Sequence, residues 1–251
     1  KRIPGKEEFA ETLRYFGNRL ADLGVELELD TTADAATLQS RGFDAVVVAT
    51  GVTPRDPRIP GQEHPMVCGY ADVVSGERRI GRRVAIVGAG GIGFDVAEFL
   101  VQDAPSPTTD IARWMREWGV DTTLAQRGGL SKPEVEPSPR EIWLLQRTPG
   151  KPGRKLNKTT GWVHRAALKA KGVQMLGGVS YERIDDAGLH IRIDGAPRVL
   201  EVDNVVICAG QEPNRALADR LIALGIGVHV IGGADVAAEL DAKCAISEST
   251  G

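Results

Sequence analysis

The chain has 251 residues, of which 42% are hydrophobic and 26% are charged, and its formal net charge is -3. This composition is typical of a globular protein with one large domain or two small ones. The slight negative charge, without a basic block interleaved with aromatic residues, argues against a nucleic-acid partner. No apolar run approaches the length of a membrane helix or a secretory signal, so we expect no membrane partner and a cytoplasmic protein.

Cysteine and histidine give no sign of a disulfide framework or a metal site. The cysteines are odd in number and far apart, which favours reduced and buried thiols. The histidines lack the spacing of metal ligands, so we predict structural or surface roles for them and no metal site. These residues are Cys68, Cys208, Cys244, His64, His164, His190 and His229.

The first fifty residues show helix and strand patterns in turn. Apolar residues recur every three or four positions from Phe9 to Leu23, which predicts an amphipathic helix. The predicted elements are a helix at 6–23, a strand at 25–29, a helix at 32–39 and a buried strand at 43–49. The last strand runs into Thr50 and Gly51, and prolines follow that sustain neither a helix nor a central strand.

The most informative segment is a buried-strand pattern at 84–87 that breaks into G-x-G-x-x-G and continues as a helix to Leu100. Gly88 allows a sharp turn, Gly90 lets the backbone approach a phosphate, and Gly93 permits close packing of helix and strand. The start of the helix supplies free N–H groups and a positive dipole end. We predict a dinucleotide pyrophosphate site, with a purely structural tight turn as the alternative.

After the helix of the glycine motif comes an irregular, proline-containing segment at 103–140, which we interpret as an insertion or a lid. Within it, Trp114 and Trp118 lie four residues apart on one face of a predicted helix. They form either a packing stripe or a ligand platform. The further predicted elements are a helix at 111–118, a strand at 141–146, a helix at 162–171, alternating strands at 173–207 and a buried strand at 204–208.

Two strand patterns indicate how the domains are connected. The strands at 44–49 and 204–208 each end in a small residue and a glycine, with a proline soon after, and they flank the glycine motif. We predict a nucleotide-binding domain at 78–202 inserted into another domain that is formed by 1–77 and 203–251.

The residues after the second strand of the predicted nucleotide domain indicate which cofactor binds. Enzymes that use NAD place an acid there for the ribose hydroxyls, whereas a 2'-phosphate requires cations. Here Arg147, Lys151, Arg154 and Lys155 follow the strand with no acid between them. We therefore predict NADPH in preference to NADH, with Arg147 and Arg154 at its phosphate. A solvated basic loop is the alternative, because this strand lies farther from the glycine motif than usual.

Several motifs carry a resemblance to known proteins. They are VVVATG at 46–51, VGAGGIG at 87–93, VICAGQEPN at 206–214, IGGAD at 231–235, IPGKEEF at 3–9, LNKTTGW at 156–162 and ADVAAELDAK at 234–243. Their order is that of two-dinucleotide-binding flavoprotein reductases. The whole chain resembles the C-terminal reductase portion of bacterial NADPH-dependent 2,4-dienoyl-CoA reductases, which are relatives of trimethylamine dehydrogenase and the old yellow enzymes.

The resemblance implies an α/β fold in which a Rossmann-like NAD(P)-binding domain is inserted into a partial FAD-binding domain. In that family the polypeptide begins with a TIM barrel that carries FMN and a 4Fe-4S cluster. Electrons pass from NADPH to FAD, through the cluster to FMN, and to the dienoyl-CoA of fatty acid β-oxidation. This chain has no barrel, no cluster cysteines and no first FAD-binding strand, and it begins at Lys1. We expect a fragment whose missing barrel is its partner.

The resemblance also assigns roles to single residues. The pyrophosphate of NADPH would be held by Gly88, Gly90, Gly91, Ile92 and Gly93. Thr50, Gly51 and Gly210 would lie beside both cofactors, where the two domains cross. Asp235 would bond the ribityl or pyrophosphate part of FAD. A helix cap is the alternative role for Asp235. We name no catalytic residue, because hydride transfer between the two cofactors needs no general base.

Two further interpretations stay open. One is a nucleotide-binding module without turnover, as in trimethylamine dehydrogenase, where the corresponding domain binds ADP; the basic loop argues against it. The other is a fragment that is inert alone, because a missing strand exposes a sheet edge.

Overall fold

The computed structural model describes residues 1–102 and 105–238. The helices are α1 (Phe9–Asp22), α2 (Ala35–Arg41), α3 (Tyr70–Ser75), α4 (Gly91–Leu100), α5 (Ile111–Trp118), α6 (Gly161–Ala170) and α7 (Ala216–Ala223). The strands are β1 (Val46–Val48), β2 (Val52–Pro54), β3 (Val67–Gly69), β4 (Arg83–Val87), β5 (Glu141–Leu145), β6 (Gln174–Leu176), β7 (Val179–Asp185), β8 (Gly188–Ile193), β9 (Ala196–Leu200), β10 (Asn204–Ile207), β11 (Gln211–Pro213) and β12 (Val228–Val230). Cys244 and the second half of the 234–243 motif, residues 239–243, lie outside the described residues.

The chain folds into two compact units. The larger unit comprises Lys1–Arg19 and Pro57–Ala209, and the smaller comprises Leu20–Asp56 and the described residues from Gly210 onward. The larger unit therefore extends beyond both predicted limits, 78 and 202. The larger unit extends this far because β10 pairs with both β3 and β4. β3 lies before residue 78 and β10 lies after residue 202, so strands from outside the predicted domain belong to the same sheet as β4. The assignment of the units to NADPH and FAD stays a prediction.

A five-stranded parallel sheet in the order β3-β10-β4-β5-β6 forms the centre of the larger unit. Alternate side chains of its strands point to opposite faces. Val84 and Ile86 pack with Phe94 of α4 and Leu168 of α6 on one face. On the other face, Ala85 and Val87 pack against the antiparallel sheet β7-β8-β9. Both faces are covered, as parallel sheets require, and the predicted α/β class is confirmed.

The smaller unit has a core of Ala35, Val48, Ala218 and Leu221, contributed by α2, β1 and α7. In it β1 pairs in parallel with β12, and β2 pairs antiparallel with β11. The predicted strand at 43–49 is confirmed over its centre.

The predicted strand at 25–29 does not form. No strand of the described residues pairs with this segment, and Leu29 is 77% exposed. An alternating pattern produces a strand only where a neighbouring strand satisfies its N–H and C=O groups. The predicted helix at 32–39 starts later, at Ala35, because the Asp34 side chain caps it by accepting a hydrogen bond from the Thr37 N–H at 2.8 Å.

The described part of the 103–140 segment contains α5, and the helix predicted there is confirmed. The rings of Trp114 and Trp118 are 5.8 Å apart between centroids, which supports a packing stripe. The Lys171 Nζ lies 2.7 Å from the Glu117 carboxylate and ties the segment to the end of α6. Among the described residues no helix is both long and apolar enough to cross a bilayer.

A titratable pair joins the two helices that cover the sheet. The Nδ1 atom of His164 on α6 lies 2.6 Å from Oε1 of Glu98 on α4. This hydrogen bond raises the pKa of His164, assisted by the charges of Glu98 and Asp95 and opposed by burial and by Lys6. The folded state therefore binds the imidazole proton more tightly than the unfolded chain does.

This pair predicts a pH-dependent stability. The pair stabilises the fold fully below the unfolded histidine pKa of about 6.5, and the contribution is lost as the pH rises through the higher folded pKa. Glu98→Gln should reduce the fall in urea midpoint between pH 6 and pH 8.5, and Glu77→Gln, at an exposed acid, should not. Equal pH profiles for Glu98→Gln and the parent chain would contradict this interpretation.

Candidate functional site

The turn between β4 and α4 is built by backbone contacts too close for a side chain. Gly88 has φ = +112°, and a β-carbon there would lie 2.2 Å from the carbonyl oxygen of Cys208. A β-carbon at Gly93 would lie 1.9 Å from the carbonyl oxygen of Gly88. The chain can therefore pass from strand to helix along this path only with glycine at both positions, as the motif predicts.

The next two glycines face open space instead. Gly90 and Gly91 are exposed, and a β-carbon at either would meet no other atom within 4 Å. The first hydrogen bond of α4 runs from the Phe94 N–H to the Gly90 carbonyl at 3.1 Å. The N–H groups of Gly91, Ile92 and Gly93 precede it, so the helix offers them no acceptor. With the positive end of the helix dipole, they form a cradle suited to a phosphate.

The cradle lies where the strand order reverses. The chain proceeds from β4 outward to β5 and β6, and then returns to the other side of β4 as β10. The Gly88 N–H donates to the Leu145 carbonyl at 2.9 Å, and the Cys208 N–H donates to the Val87 carbonyl at 2.8 Å. The turn is thus fixed from both sides. Ligands of open α/β sheets bind at such a switch point, beyond the carboxyl ends of the strands.

The predicted cations follow β5, and since β4 and β5 are parallel neighbours, they emerge at the same edge of the sheet as the cradle. Residues 142–181 contain no acid. They contain eight basic residues, which are Arg147, Lys151, Arg154, Lys155, Lys158, Arg165, Lys169 and Lys171. The first four are exposed, and no ion pair among the described residues involves them.

The loop that carries these cations is held in place by backbone contacts. The Gly178 N–H donates to the Thr148 carbonyl at 3.1 Å. The Gly150 carbonyl packs so closely on Gly177 that a β-carbon there would lie 2.0 Å from it. On the other side, Arg165 of α6 donates from Nη1 to the Gly153 carbonyl at 2.9 Å. Arg165 is not among the residues predicted from the sequence, although the helical register places it one turn after Trp162.

The residues predicted for the flavin side lie in the smaller unit or at its border. Thr50 donates from Oγ1 to the Asn214 carbonyl at 2.6 Å, and the Asn214 N–H donates to the Gly51 carbonyl at 3.0 Å. The Gly210 carbonyl instead accepts from the Arg55 N–H, also at 3.0 Å. Gly51 and Gly210 therefore flank opposite ends of the short β2-β11 ladder. Their contact with cofactors stays a prediction.

Asp235 follows a 3₁₀ turn at Gly232–Ala234, and its N–H donates to the Gly232 carbonyl at 3.0 Å. Its Oδ1 accepts from Nη1 of Arg215 at 2.9 Å, and its side chain is half exposed. The structure thus shows a protein partner for this carboxylate. The role at FAD stays a prediction.

The two described cysteines are unbonded and buried, as predicted. Burial raises the pKa of Cys68 to about 11 and also raises the pKa of Cys208. Both thiols therefore stay protonated at neutral pH, which makes them poor nucleophiles.

With this geometry established, comparison with known proteins identifies the family. A sequence profile of the pyridine nucleotide-disulphide oxidoreductases matches residues 18–244, and the chain belongs to that family. Its fold is of the two-dinucleotide-binding flavoprotein type, and membership implies FAD and a nicotinamide nucleotide as cofactors. The predicted flavoprotein oxidoreductase class is thereby confirmed.

Several relatives resemble the chain over most of its length. A metal reductase of Desulforamulus reducens is 27% identical over 235 residues, which cover 92% of this chain and 34% of that protein. An NADH oxidase of Thermoanaerobacter brockii is 28% identical over 76% of this chain and 31% of that protein. The chain thus spans about a third of the length of these relatives.

Solved structures show the same fold. A 2-naphthoyl-CoA reductase in complex with 2-naphthoyl-CoA superposes with a TM-score of 0.75 at 24% identity, over 95% of this chain and 31% of that one. A histamine dehydrogenase from Rhizobium sp. 4-9 superposes with a TM-score of 0.68 at 17% identity, over 95% of this chain and 35% of that one.

The packing at Gly93 predicts a loss of stability. Gly93→Ala should lower the free energy of unfolding by about 1–3 kcal/mol, because the added methyl group overlaps the Gly88 carbonyl. Gly17→Ala is the matched control. It lies within α1 with nothing within 4 Å of its β-carbon, so it should leave the chain equally or more stable. Urea denaturation measures both, and equal stability of the two variants would refute the close packing.

The unfilled space beside Gly90 predicts that a side chain there weakens nucleotide binding and leaves stability largely unchanged. Gly90→Ala should cost less than about 1 kcal/mol of stability and weaken nicotinamide nucleotide binding about tenfold, because its methyl group enters the space of the phosphate. Gly17→Ala, whose β-carbon also meets nothing within 4 Å but which lies in α1 outside the cradle, should bind as the parent chain does. Fluorescence titration with NADPH tests both variants, and unimpaired binding by Gly90→Ala would place the nucleotide elsewhere.

Proposed function

We propose that this chain is the reductase portion of a larger NADPH-dependent flavoprotein, in which it holds NADPH so that hydride passes to FAD. The observation that carries the proposal is the phosphate cradle of α4 beside an acid-free basic loop at the same edge of the sheet. The cradle suits the pyrophosphate of any dinucleotide, whereas the basic loop suits only a ligand with further negative charge.

The chain contributes binding and orientation. NADPH, when bound, supplies the hydride and FAD accepts it. The N–H groups of Gly91, Ile92 and Gly93 would hold the pyrophosphate, and Arg147 and Arg154 would hold the 2'-phosphate. Guanidinium groups suit this task because their planar donors can make paired hydrogen bonds to phosphate oxygens. No proton has to be moved by a side chain in this step, so we assign no catalytic residue.

The substrate of the larger protein is the second part of the proposal. The segments at 3–9, 156–162 and 234–243 favour a 2,4-dienoyl-CoA reductase of fatty acid β-oxidation. A reductase with the same fold was solved with 2-naphthoyl-CoA bound, and an acyl-CoA substrate for the larger protein agrees with that likeness. In this proposal FMN and a 4Fe-4S cluster belong to a barrel in the part of the parent protein that the chain does not span, and the protein is cytoplasmic.

The basic loop predicts that the cofactor preference depends on Arg147. Arg147→Glu should weaken NADPH binding by about 10- to 100-fold and leave NADH binding equal or tighter, because the carboxylate repels a 2'-phosphate and accepts ribose hydroxyls. Arg198→Glu on β9, at an exposed arginine with no ion pair among the described residues, is the matched control and should change neither affinity.

Fluorescence titrations of the chain with both nucleotides measure these affinities. Unchanged NADPH preference in Arg147→Glu would refute the phosphate assignment. In the parent flavoprotein, anaerobic mixing with NADPH should bleach the flavin absorbance. Binding of ADP and NADPH with equal affinity, without flavin reduction, would instead show a nucleotide module without turnover.

A further inference from the structure

A cavity of about 490 Å³ lies in the larger unit where β4 and β5 begin, at the edge of the sheet opposite the phosphate cradle. Its lining comes from the segment before β4, the end of α4 and the first residues of the chain. The ten residues of α4 run from the cradle to the cavity and separate the two by about 14 Å along the helix axis. The volume lies within the range of about 300–1,000 Å³ that is usual for small-molecule sites.

The cavity is lined by arginines that have no acidic partner. Arg2, Arg78 and Arg79 line it, and no carboxylate of the described residues forms an ion pair with any of them. The described lining contains no aspartate or glutamate. Arg83, a few residues further along, shows the contrast, because its guanidinium group lies 3.2 Å from the Asp203 carboxylate.

The capping of helix ends accounts for part of this positive charge. α3 ends at Ser75, whose carbonyl accepts a hydrogen bond from Nη1 of Arg2, and the last carbonyl of α4 accepts from Nη1 of Arg140 at 3.0 Å. The carboxyl end of a helix carries about half a negative charge, so the two ends together carry about one. The three arginines without an ion pair carry three positive charges, which leaves an excess of about two for a ligand.

Two of the guanidinium groups are held in place by the protein. That of Arg2 lies 5.8 Å from the centroid of the Phe99 ring, and a β-carbon at Gly76 would lie 3.4 Å from its Nη1 and Nη2 atoms. Nη2 of Arg78 donates to the Pro65 carbonyl. Each guanidinium group has five N–H donors, so others stay available. A side chain that is already fixed loses less conformational entropy when it binds an anion.

The remaining wall of the cavity is apolar. Val73, Ile80 and Leu100 form it, and Val73 and Leu100 belong to the hydrophobic core behind it. The cavity is far larger than a bare phosphate ion requires. Positive charge beside an apolar wall therefore suits an organic anion, whose charged group meets the arginines and whose apolar part leaves water.

We propose that this cavity binds an organic phosphate monoester at a site separate from that of the nucleotide. A phosphate monoester carries a charge of about -1.5 to -2 at pH 7, which matches the excess positive charge. The planar donors of Arg78 and Arg79 bind its oxygens in pairs, and its organic group lies on the apolar wall. The site goes beyond the proposed function and does not depend on it, because it uses none of the residues assigned to NADPH or FAD.

Phenyl phosphate is the probe, because it combines a dianion with a small apolar ring. Isothermal titration of the chain in saturating NADP⁺ should show phenyl phosphate binding about tenfold tighter than benzoate, which has a single charge, and than inorganic phosphate, which has no ring. No binding of phenyl phosphate in NADP⁺ would overturn the separate site. Equal binding of inorganic phosphate, or tighter binding of tetraglutamate, would overturn the ligand class in favour of a simple ion or an acidic peptide.

Charge-removing variants test where the phosphate binds. Arg78→Gln and Arg79→Gln should each weaken phenyl phosphate binding about three- to tenfold, because each loses charge-assisted hydrogen bonds. Arg198→Gln, at an exposed arginine of β9 outside the cavity, is the matched control and should bind as the parent chain does. All three side chains are exposed, so urea midpoints equal to that of the parent chain should verify folding.

The outcomes separate this site from the proposed function. Arg78→Gln and Arg79→Gln should bind NADPH as the parent chain does, since they lie at the opposite edge of the sheet from the cradle. If both variants bind phenyl phosphate normally while Arg147→Glu loses NADPH preference, the cavity site is wrong and the proposed function stands. If both variants lose phenyl phosphate while Arg147→Glu keeps NADPH preference, the cavity site stands and the phosphate assignment of the basic loop is wrong.

Discussion

The close approach of backbone to backbone at Gly88 is the constraint on which the site depends. With a Cβ only 2.2 Å from the Cys208 carbonyl, any other residue would push β4 and β10 apart at their carboxyl ends. The second contact, between Gly93 and the Gly88 carbonyl, fixes where α4 begins relative to the sheet. These two contacts aim the first-turn N–H groups at the switch point, so the phosphate cradle is a direct product of the packing.

Local charge, rather than net charge, determines what the cradle can bind. The chain as a whole is slightly negative, at -3, whereas residues 142–181 contain basic residues and no acid. Salt screens exposed charges over about 8–10 Å, so a phosphate near Arg147 interacts chiefly with this loop and with the start of α4. A protein of ordinary overall charge can thus still favour a ligand with an additional phosphate.

The sequence predicts those parts of the fold that depend on local patterns. The turn at Gly88–Gly93 is one, because its geometry requires glycine at particular positions, and α5 and α6 are others. Long-range contacts were not predictable. The three-residue β3 is too short to show a period, and it forms because β10, far away in the chain, pairs with it. The strand predicted at 25–29 does not form for the same reason, because its alternating pattern does not show whether another strand is available to pair with it.

The most direct test of the cradle is an NMR titration of the ¹⁵N-labelled chain with NADP⁺. The amide resonances of Gly91, Ile92 and Gly93 should move more than those of the antiparallel sheet β7-β8-β9, and their protons should shift downfield as they donate to the pyrophosphate. The amides after β5, around Arg147, should follow with the same saturation curve. If the resonances of the first turn of α4 stay in place at saturating NADP⁺ while others move, the pyrophosphate does not bind at this turn.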